Sequence, residues 1–266
     1  MSRQIVNRQI VKLVMIGFGV FGVAACSPSA QQLKEVMKQH PDILHAAIEA
    51  DPKGFFDIVQ KVQGKAREQS MAGQMEGELK RVMEEIKSPK TVEFDEARAV
   101  VGPITAPITI IEWADFNCGH CVHAAETVEK IAVEYKDKVR ILFKHLPILA
   151  PESKLAAQYM EAISLQDNAK AIEFHKKLFA SQGELRSGGE KFLKKLTKEV
   201  GADVAKTEKD SKGAIVKKRI DSDVAEAQKY EFNGTPGFMV NGASVHGAYP
   251  IEFFKKVIDA ILAEKK

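Results

Sequence analysis

The sequence predicts an α/β fold preceded by an α-helical N-terminal region. Two β-branched, apolar segments, residues 108–114 and 139–144, are typical of buried strands. Between them, Asn117 can cap a helix from Cys118 to about Tyr135, which completes a strand–helix–strand unit. Before residue 89, apolar residues recur instead at intervals of three and four, the period of an α-helix.

The composition is that of a globular protein with a substantial core: 266 residues, 45% apolar and 28% charged. This length predicts one or two domains, and three cysteines are too few for a disulfide-built scaffold. The formal net charge is +3, yet Arg3, Arg8 and Lys12 supply that excess. Without these three the chain has 36 basic and 36 acidic residues, so we expect no nucleic-acid partner.

The N-terminus has the pattern of a secretory signal, because three basic residues precede the uncharged segment 13–25. That segment is shorter than the roughly 20 apolar residues of a membrane-spanning helix. Residues 23–26 resemble a bacterial lipobox, which implies a signal peptide over residues 1–25 and a lipid on Cys26. The alternative is an ordinary signal peptide that contains a cysteine. We expect a lipid-anchored protein of the bacterial envelope that faces the periplasm, and Ser27 slightly favours the outer membrane.

Residues 26–90 are predicted to form a helical extension. Two short helices are expected before Asp51, the second of them beginning at Pro41. Asp51 is a good N-cap for a long third helix, which should end before Pro89. The apolar stripes of these helices need a partner, so we expect a homo-oligomer, a dimer before a trimer.

Residues 91–266 form the second predicted domain. After the strand–helix–strand unit, residues 151–230 look helical, with breaks at glycines. A short strand with its turn follows in residues 234–242, then a second short strand near residues 244–245 and a final amphipathic helix from Pro250.

Cys118 and Cys121 form a C-x-x-C pair at the predicted strand-to-helix turn. A structural zinc site needs four ligands, and His120 and His123 lie in the same turn as the thiols, which is poor geometry. Attachment of c-type haem needs a histidine directly after the second cysteine, where Val122 stands. Redox chemistry of the thiols fits best, and we expect neither a metal nor a cofactor.

The position of the pair predicts a role for each residue. Cys118 lies where the free N–H groups and the dipole of a helix N-terminus favour a thiolate, so it is the expected exposed nucleophile. Cys121, one turn on, is the resolving thiol. His120 adds a hydrogen-bond donor or partial positive charge beside the thiolate, unless it is an ordinary loop histidine. Stabilising the thiolate makes the disulfide more oxidising.

From about residue 92 to its end, the chain resembles the DsbA-like thioredoxin-fold disulfide oxidoreductases of bacterial envelopes. Residues 112–121 and 234–242 carry the resemblance. It implies a thioredoxin fold with a helical insertion over about residues 151–230. It also implies that Pro236 follows a cis peptide bond and faces the thiols, and that Thr235 helps to bind the substrate backbone. The Gly-His dipeptide departs from the Pro-His of the best-known DsbA enzymes, which leaves the oxidising strength open.

Glu112 has two interpretations. It is a surface or edge-strand glutamate, or a partly buried carboxylate beneath Cys121 that shuttles a proton to and from that thiol. The family has an acid at the matching position, which favours the second.

The resemblance implies a thiol:disulfide oxidoreductase that introduces disulfides into exported proteins. Reduced or misfolded exported proteins would be its substrates, and a membrane redox partner would complete the cycle. Residues 39–49, within the helical extension, resemble the N-terminal extensions of lipoprotein or oligomeric DsbA-like proteins, so a homo-oligomeric disulfide isomerase or reductase is the main alternative. A non-enzymatic envelope lipoprotein or surface antigen is another. A copper-handling protein is a third, and it would need Met or His ligands beside the thiols.

Overall fold

The computed structural model describes residues 29–264. Its helices are α1 (Ala30–Gln39), α2 (Pro41–Ala50), α3 (Pro52–Ile86), α4 (Gly119–Glu134), α5 (Pro151–Ser164), α6 (Asn168–Ala180), α7 (Gln182–Glu199), α8 (Val204–Asp210), α9 (Ala214–Lys229) and α10 (Ile251–Glu264). Its strands are β1 (Val100–Val101), β2 (Ile108–Ala114), β3 (Val139–His145), β4 (Gly237–Val240) and β5 (Ala243–His246). The predicted α/β fold, with helices before the first strand, is confirmed.

The predicted signal peptide and Cys26 lie outside the described residues. Within residues 29–264, no helix combines the length and the apolar character needed to cross a membrane.

The described part of the chain divides into two compact units, residues 29–66 and residues 67–264. In the first unit, Ser29 caps α1 through the N–H of Gln32 at 3.2 Å, and Asp51 caps the start of α3 through the N–H of Gly54 at 2.9 Å. Among residues 29–66 none is buried. The large apolar side chains exposed here are Leu33, Val36, Met37, Ile43, Leu44, Phe55, Phe56, Ile58 and Val62.

The second unit is built on a five-stranded sheet of order β1-β3-β2-β4-β5. The central pair, β2 and β3, is parallel, and the other pairs are antiparallel. Ile110 of β2 packs into the larger apolar cluster, whereas Ile111 and Trp113 pack into a second cluster. Burial on both faces explains why β2 is an unbroken apolar run rather than an alternating one.

Helices cover both faces of this sheet. Helices α4 and α10 pack together and supply apolar side chains to the larger cluster, and α9 contributes to the second cluster beside Tyr230 and Phe232. Helices α5 to α9 lie between β3 and β4 in the chain and form the predicted helical insertion. Helix α7 bends at Gly189, whose φ of 48° is non-helical.

A buried ionic cluster ties the insertion to the sheet. The Arg98 guanidinium donates two hydrogen bonds of 2.7 Å to Asp223 of α9 and two, of 3.1 and 2.5 Å, to Glu161 of α5. Asp223 also accepts the N–H of His145 at 2.9 Å, and its carbonyl accepts the indole N–H of Trp113 at 3.0 Å. Burial alone would raise the pKa of Glu161, but the charge of Arg98 and a hydrogen bond of 3.0 Å with Nε2 of His145 hold it well below its usual range.

The second half of α3 belongs to this unit because it covers the edge strand β5. Arg81 donates to the carbonyl of Ser244 at 2.6 Å, and Glu85 accepts the N–H of Ser244 at 2.8 Å. Glu78 accepts the N–H of His246 at 2.8 Å, and Val82 is fully buried. The compact unit therefore begins at Arg67, inside α3, whereas the sequence places the domain boundary after residue 90.

Candidate active site

The two thiols lie where the central strand passes into α4. Cys118 is the N-cap of α4 with an extended backbone (φ −80°, ψ 119°), and Cys121 lies in the first turn of the helix. Both are free thiols, 5% and 0% exposed. Cys118 is thus more accessible than Cys121 but not the exposed residue expected, because the loop at Thr235 lies 3.2 Å from its sulfur.

Hydrogen bonds around Cys118 favour its thiolate. The thiol of Cys121 donates to it, and the Thr235 side chain and the backbone N–H groups of Cys121 and His120 add to the effect. Together they outweigh burial and lower the pKa of Cys118 to about 5. At neutral pH the residue is therefore a thiolate. In the thiol form, Sγ of Cys118 instead donates to the carbonyl oxygen of Thr235 at 3.2 Å.

Cys121 is shifted in the opposite direction. The largest cause is the hydrogen bond that its thiol donates to Cys118, and burial adds to it. The pKa of Cys121 therefore lies far above its usual range. Cys118 is therefore the thiolate of the pair, and Cys121 is the thiol that donates the stabilising hydrogen bond to it.

Glu112 is a buried carboxyl on β2. It is fully buried, and neither oxygen has a hydrogen-bond partner among residues 29–264. In the sheet it pairs with Phe143 on one side and Phe238 on the other. Burial and the negative charge of Cys118 raise the pKa of Glu112 to about 8, so it holds its proton at pH 7. The surface and edge-strand interpretation is wrong, since β2 is the central strand.

The loop before β4 holds two further predicted residues, Thr235, which lies against Cys118, and Pro236. The Thr235–Pro236 peptide bond is cis, as the resemblance implies. Both residues line a cavity of about 580 Å³, with His120, whose side chain is exposed. The remaining walls are formed by one side of α3 and the loop after β5: Glu68, Met71, Ala72, Gln74, Met75, His246, Gly247, Ala248, Tyr249 and Pro250.

The expected capping role of Asn117 is wrong. Cys118 takes the N-cap position of α4, so Asn117 lies one residue too early. Its amide donates to the Ser153 hydroxyl at 3.0 Å, and its own N–H is held by the Asp115 carboxylate at 2.7 Å.

Sequence reasoning missed three residues that hold the loop before the thiols. Asp115 accepts the backbone N–H groups of Ile148 and Leu149 at 2.8 and 2.9 Å, besides that of Asn117. Gln182 and Arg186 of α7 bind the loop from the insertion. An acid directly after a buried strand was a visible signal for Asp115, whereas nothing in the sequence relates α7 to the loop.

The hydrogen bond between the two thiols predicts a titration result. Thiolate absorbance should rise with a midpoint near pH 5 in the reduced protein, well below the value of about 8.5 for a free cysteine. Cys118→Ala should remove this transition. Cys121→Ala removes the main donor, so the midpoint of Cys118 should move upward, by about 1 for one lost hydrogen bond. A midpoint near 8.5 in the unaltered protein would contradict the activated thiolate.

Comparison with known proteins agrees with this geometry. The chain is 30% identical over 166 residues to the probable disulfide bond formation protein D of Bacillus anthracis, covering 60% of this chain and 76% of that protein. It is also 29% identical over 213 residues to the Na(+)/H(+) antiporter NhaA 1 of Salinispora arenicola. That match covers 78% of this chain but 30% of the antiporter, so the chain spans under a third of that relative's length.

Solved structures and a family model extend the comparison. A thioredoxin-like oxidoreductase from Silicibacter pomeroyi matches with a TM-score of 0.57 and 29% identity, covering 65% of this chain and 95% of that one. The family model described as thioredoxin matches residues 95–260, which include the thiol pair, the helical insertion and the cis-proline loop. The chain therefore belongs to the thioredoxin family, in its DsbA-like branch.

Proposed function

We propose that the protein is a thiol:disulfide oxidoreductase that introduces disulfides into exported proteins through Cys118 and Cys121. The observation that carries this proposal is the stabilised thiolate of Cys118 at the start of α4. A stabilised thiolate favours the dithiol form of the protein, so its disulfide is a strong oxidant. A thiolate of low pKa is also a good leaving group, which speeds release of the oxidised substrate.

The proposed reaction transfers two electrons from the substrate to the protein. A substrate thiolate attacks Sγ of Cys118 in the oxidised pair, the bond between Cys118 and Cys121 breaks, and Cys121 leaves as a thiolate. A second substrate thiolate attacks the substrate sulfur of the mixed disulfide, which forms the substrate disulfide and releases Cys118 as a thiolate. A membrane redox partner that itself carries a disulfide takes up the two electrons and restores the oxidised pair.

Glu112 is the proposed proton donor for Cys121. Its carboxyl is protonated at neutral pH, because burial and the negative charge of Cys118 raise its pKa to about 8. Its ionised form would repel a thiolate at Cys121, so the two groups favour sharing one proton. Transfer of this proton neutralises the Cys121 thiolate as it leaves, inside a region from which water is excluded.

The cavity beside Pro236 is the proposed site for the substrate. Met71, Met75 and Tyr249 give it flexible or aromatic apolar walls, and Thr235 presents backbone groups next to Cys118. Unfolded chains expose apolar side chains that folded proteins bury, and methionine adapts to varied shapes. This favours reduced or misfolded proteins as substrates.

Disulfide isomerisation by a homo-oligomer is the main alternative. The exposed apolar side chains of α1, α2 and the first part of α3 support an interface between copies of this region. Several thiol pairs in one assembly would allow one substrate to be held and reshuffled. A non-enzymatic lipoprotein or surface antigen has less support, because it gives no reason for a stabilised thiolate.

Oxidation of a reduced, unfolded model protein tests the main proposal. Cys118→Ala should abolish it, and Cys121→Ala should accumulate a mixed disulfide through Cys118. Glu112→Gln should slow the release of Cys121 by roughly tenfold or more and remove the decline of that rate above pH 8.

Tight Cu(I) binding without substrate oxidation would contradict the proposal. It would favour the copper-handling alternative, for which Met71, Met75, His120 and His246 offer ligands in the cavity.

Truncation separates assembly from chemistry. Deleting residues 31–66 should give a monomer that still oxidises substrates but loses isomerisation of a scrambled one. Deleting residues 31–90 also removes buried Val82 and the hydrogen bonds of Arg81. The melting temperature of this variant should therefore be roughly 10 °C lower than that of the variant without residues 31–66. Light scattering, thermal melting and paired refolding assays measure these outcomes. An oligomer that survives the shorter deletion would place the interface elsewhere.

The lipid anchor at Cys26 remains a proposal for the envelope location. Cys26→Ser should move the protein from the membrane fraction to the soluble fraction or block its processing. Cys118→Ser is the matched control and should leave fractionation unchanged. Normal membrane fractionation of Cys26→Ser would contradict lipidation.

A further inference from the structure

Three consecutive backbone carbonyls at the thiol pair are bound by side chains of the helical insertion. The Nε2 atom of Gln182 donates to the carbonyl oxygens of Phe116 at 2.9 Å and Cys118 at 2.8 Å. Nη2 of Arg186 donates to the carbonyl between them, that of Asn117, at 3.0 Å. Gln182 and Arg186 are thus one helical turn apart on α7 and more than 60 positions from the loop in sequence.

The orientation of the Gln182 amide is determined by this arrangement. Its nitrogen carries two hydrogens, which match the two carbonyl oxygens. Its oxygen faces Nη2 of Arg186 at 3.4 Å, and Nε of Arg186 lies 3.4 Å from Oδ1 of Asn117. Leu185, fully buried between the two residues, anchors the turn, and the bend at Gly189 separates this turn from the rest of α7.

These contacts bear on the peptide that follows Cys118. The N–H groups of His120 and Cys121 stabilise the thiolate only while the start of α4 keeps its orientation. Apart from the backbone of α4 itself, no atom of residues 29–264 lies within 4 Å of the place where Gly119 would carry a side chain, so packing by these residues does not hold this peptide. The carbonyl of Cys118 is held by Gln182 at 2.8 Å and by the N–H of Cys121 at 3.2 Å.

We propose that Gln182 and Arg186 are positioning residues that set the redox properties of the Cys118–Cys121 pair from the helical insertion. The inference rests on the proposed function, since both concern the same thiolate. Rotation of the Cys118 carbonyl toward its own sulfur would bring a partial negative charge to the thiolate and turn N–H groups away. Binding all three carbonyls from α7 prevents that rotation, and the insertion becomes part of the redox site.

Substitutions in the otherwise complete protein test this role. Gln182→Leu and Arg186→Leu remove the donors at similar size, and Arg186→Lys retains one. The matched control is Glu184→Gln, which changes a charge in the same turn at an exposed side chain. None of these substitutions alters the other charged or titratable residues that interact with the pair, which are Glu112, Asp115 and His120.

The readouts are thiolate titration, the rate of alkylation at pH 5 and the equilibrium with glutathione. Gln182→Leu should raise the pKa of Cys118 by about 0.5 to 1, which corresponds to roughly one hydrogen bond. The thiolate fraction at pH 5 should then fall about two- to fivefold. The glutathione equilibrium should shift about three- to tenfold toward the protein disulfide. Arg186→Leu should act in the same direction, Arg186→Lys less, and Glu184→Gln not at all.

The outcomes distinguish the two proposals. A normal cysteine pKa in the unaltered protein would contradict the proposed function itself. A low pKa that is unchanged in folded Gln182→Leu and Arg186→Leu would overturn the positioning role alone. If Gln182→Leu does not fold, the comparison of Arg186→Leu with Arg186→Lys decides, because that side chain is exposed and its removal leaves no buried gap.

Discussion

The carboxylate of Asp115, at the end of the central strand, is the constraint on which the redox site depends. It is buried and accepts three backbone N–H groups, one from the loop before Cys118 and two from the segment after β3. Because β2 is packed on both faces, its end has a fixed position, and Asp115 transmits that position to the loop. The start of α4, with its thiolate-stabilising N–H groups, is thereby placed against Thr235.

Three titratable groups in this site depart from their ordinary values in directions that support one another. The pKa of Cys118 is lowered, whereas those of Cys121 and Glu112 are raised. Because the Cys118 thiolate is stabilised only in the folded dithiol form, it adds to the free energy of unfolding of that form. This contribution is complete above about pH 8.5 and is lost as pH falls through about 5. Glu112 has the opposite effect: its burial costs stability increasingly as pH rises from about 4.5 to 8.

Helix α3 changes character along its length. Its first part carries exposed apolar side chains, which favour association with another surface. Its second part presents Glu78, Arg81 and Glu85 to the edge strand β5. These side chains form hydrogen bonds with backbone groups of β5 that would have no protein partner at an exposed edge. This charged face prevents a further strand from pairing there. It also fixes α3 as one wall of the cavity beside Pro236.

The sequence by itself determined most of the succession of elements, since helix caps, β-branched runs and proline positions are local signals. It did not predict β1, because these two residues become a strand by pairing with β3, about 40 positions later. It also determined the thiol pair and, through the family resemblance, the thioredoxin fold and the positions of Glu112, Thr235 and Pro236. Tertiary structure alone decided that Asn117 does not cap α4, that Cys118 is covered, and that Gln182 and Arg186 reach the loop. These contacts join residues distant in the chain, and no periodicity or local propensity records them. In the sequence, the charged residues that cover the edge of β5 cannot be told from those of a solvent-exposed helix face, because only the tertiary structure places β5 beside them.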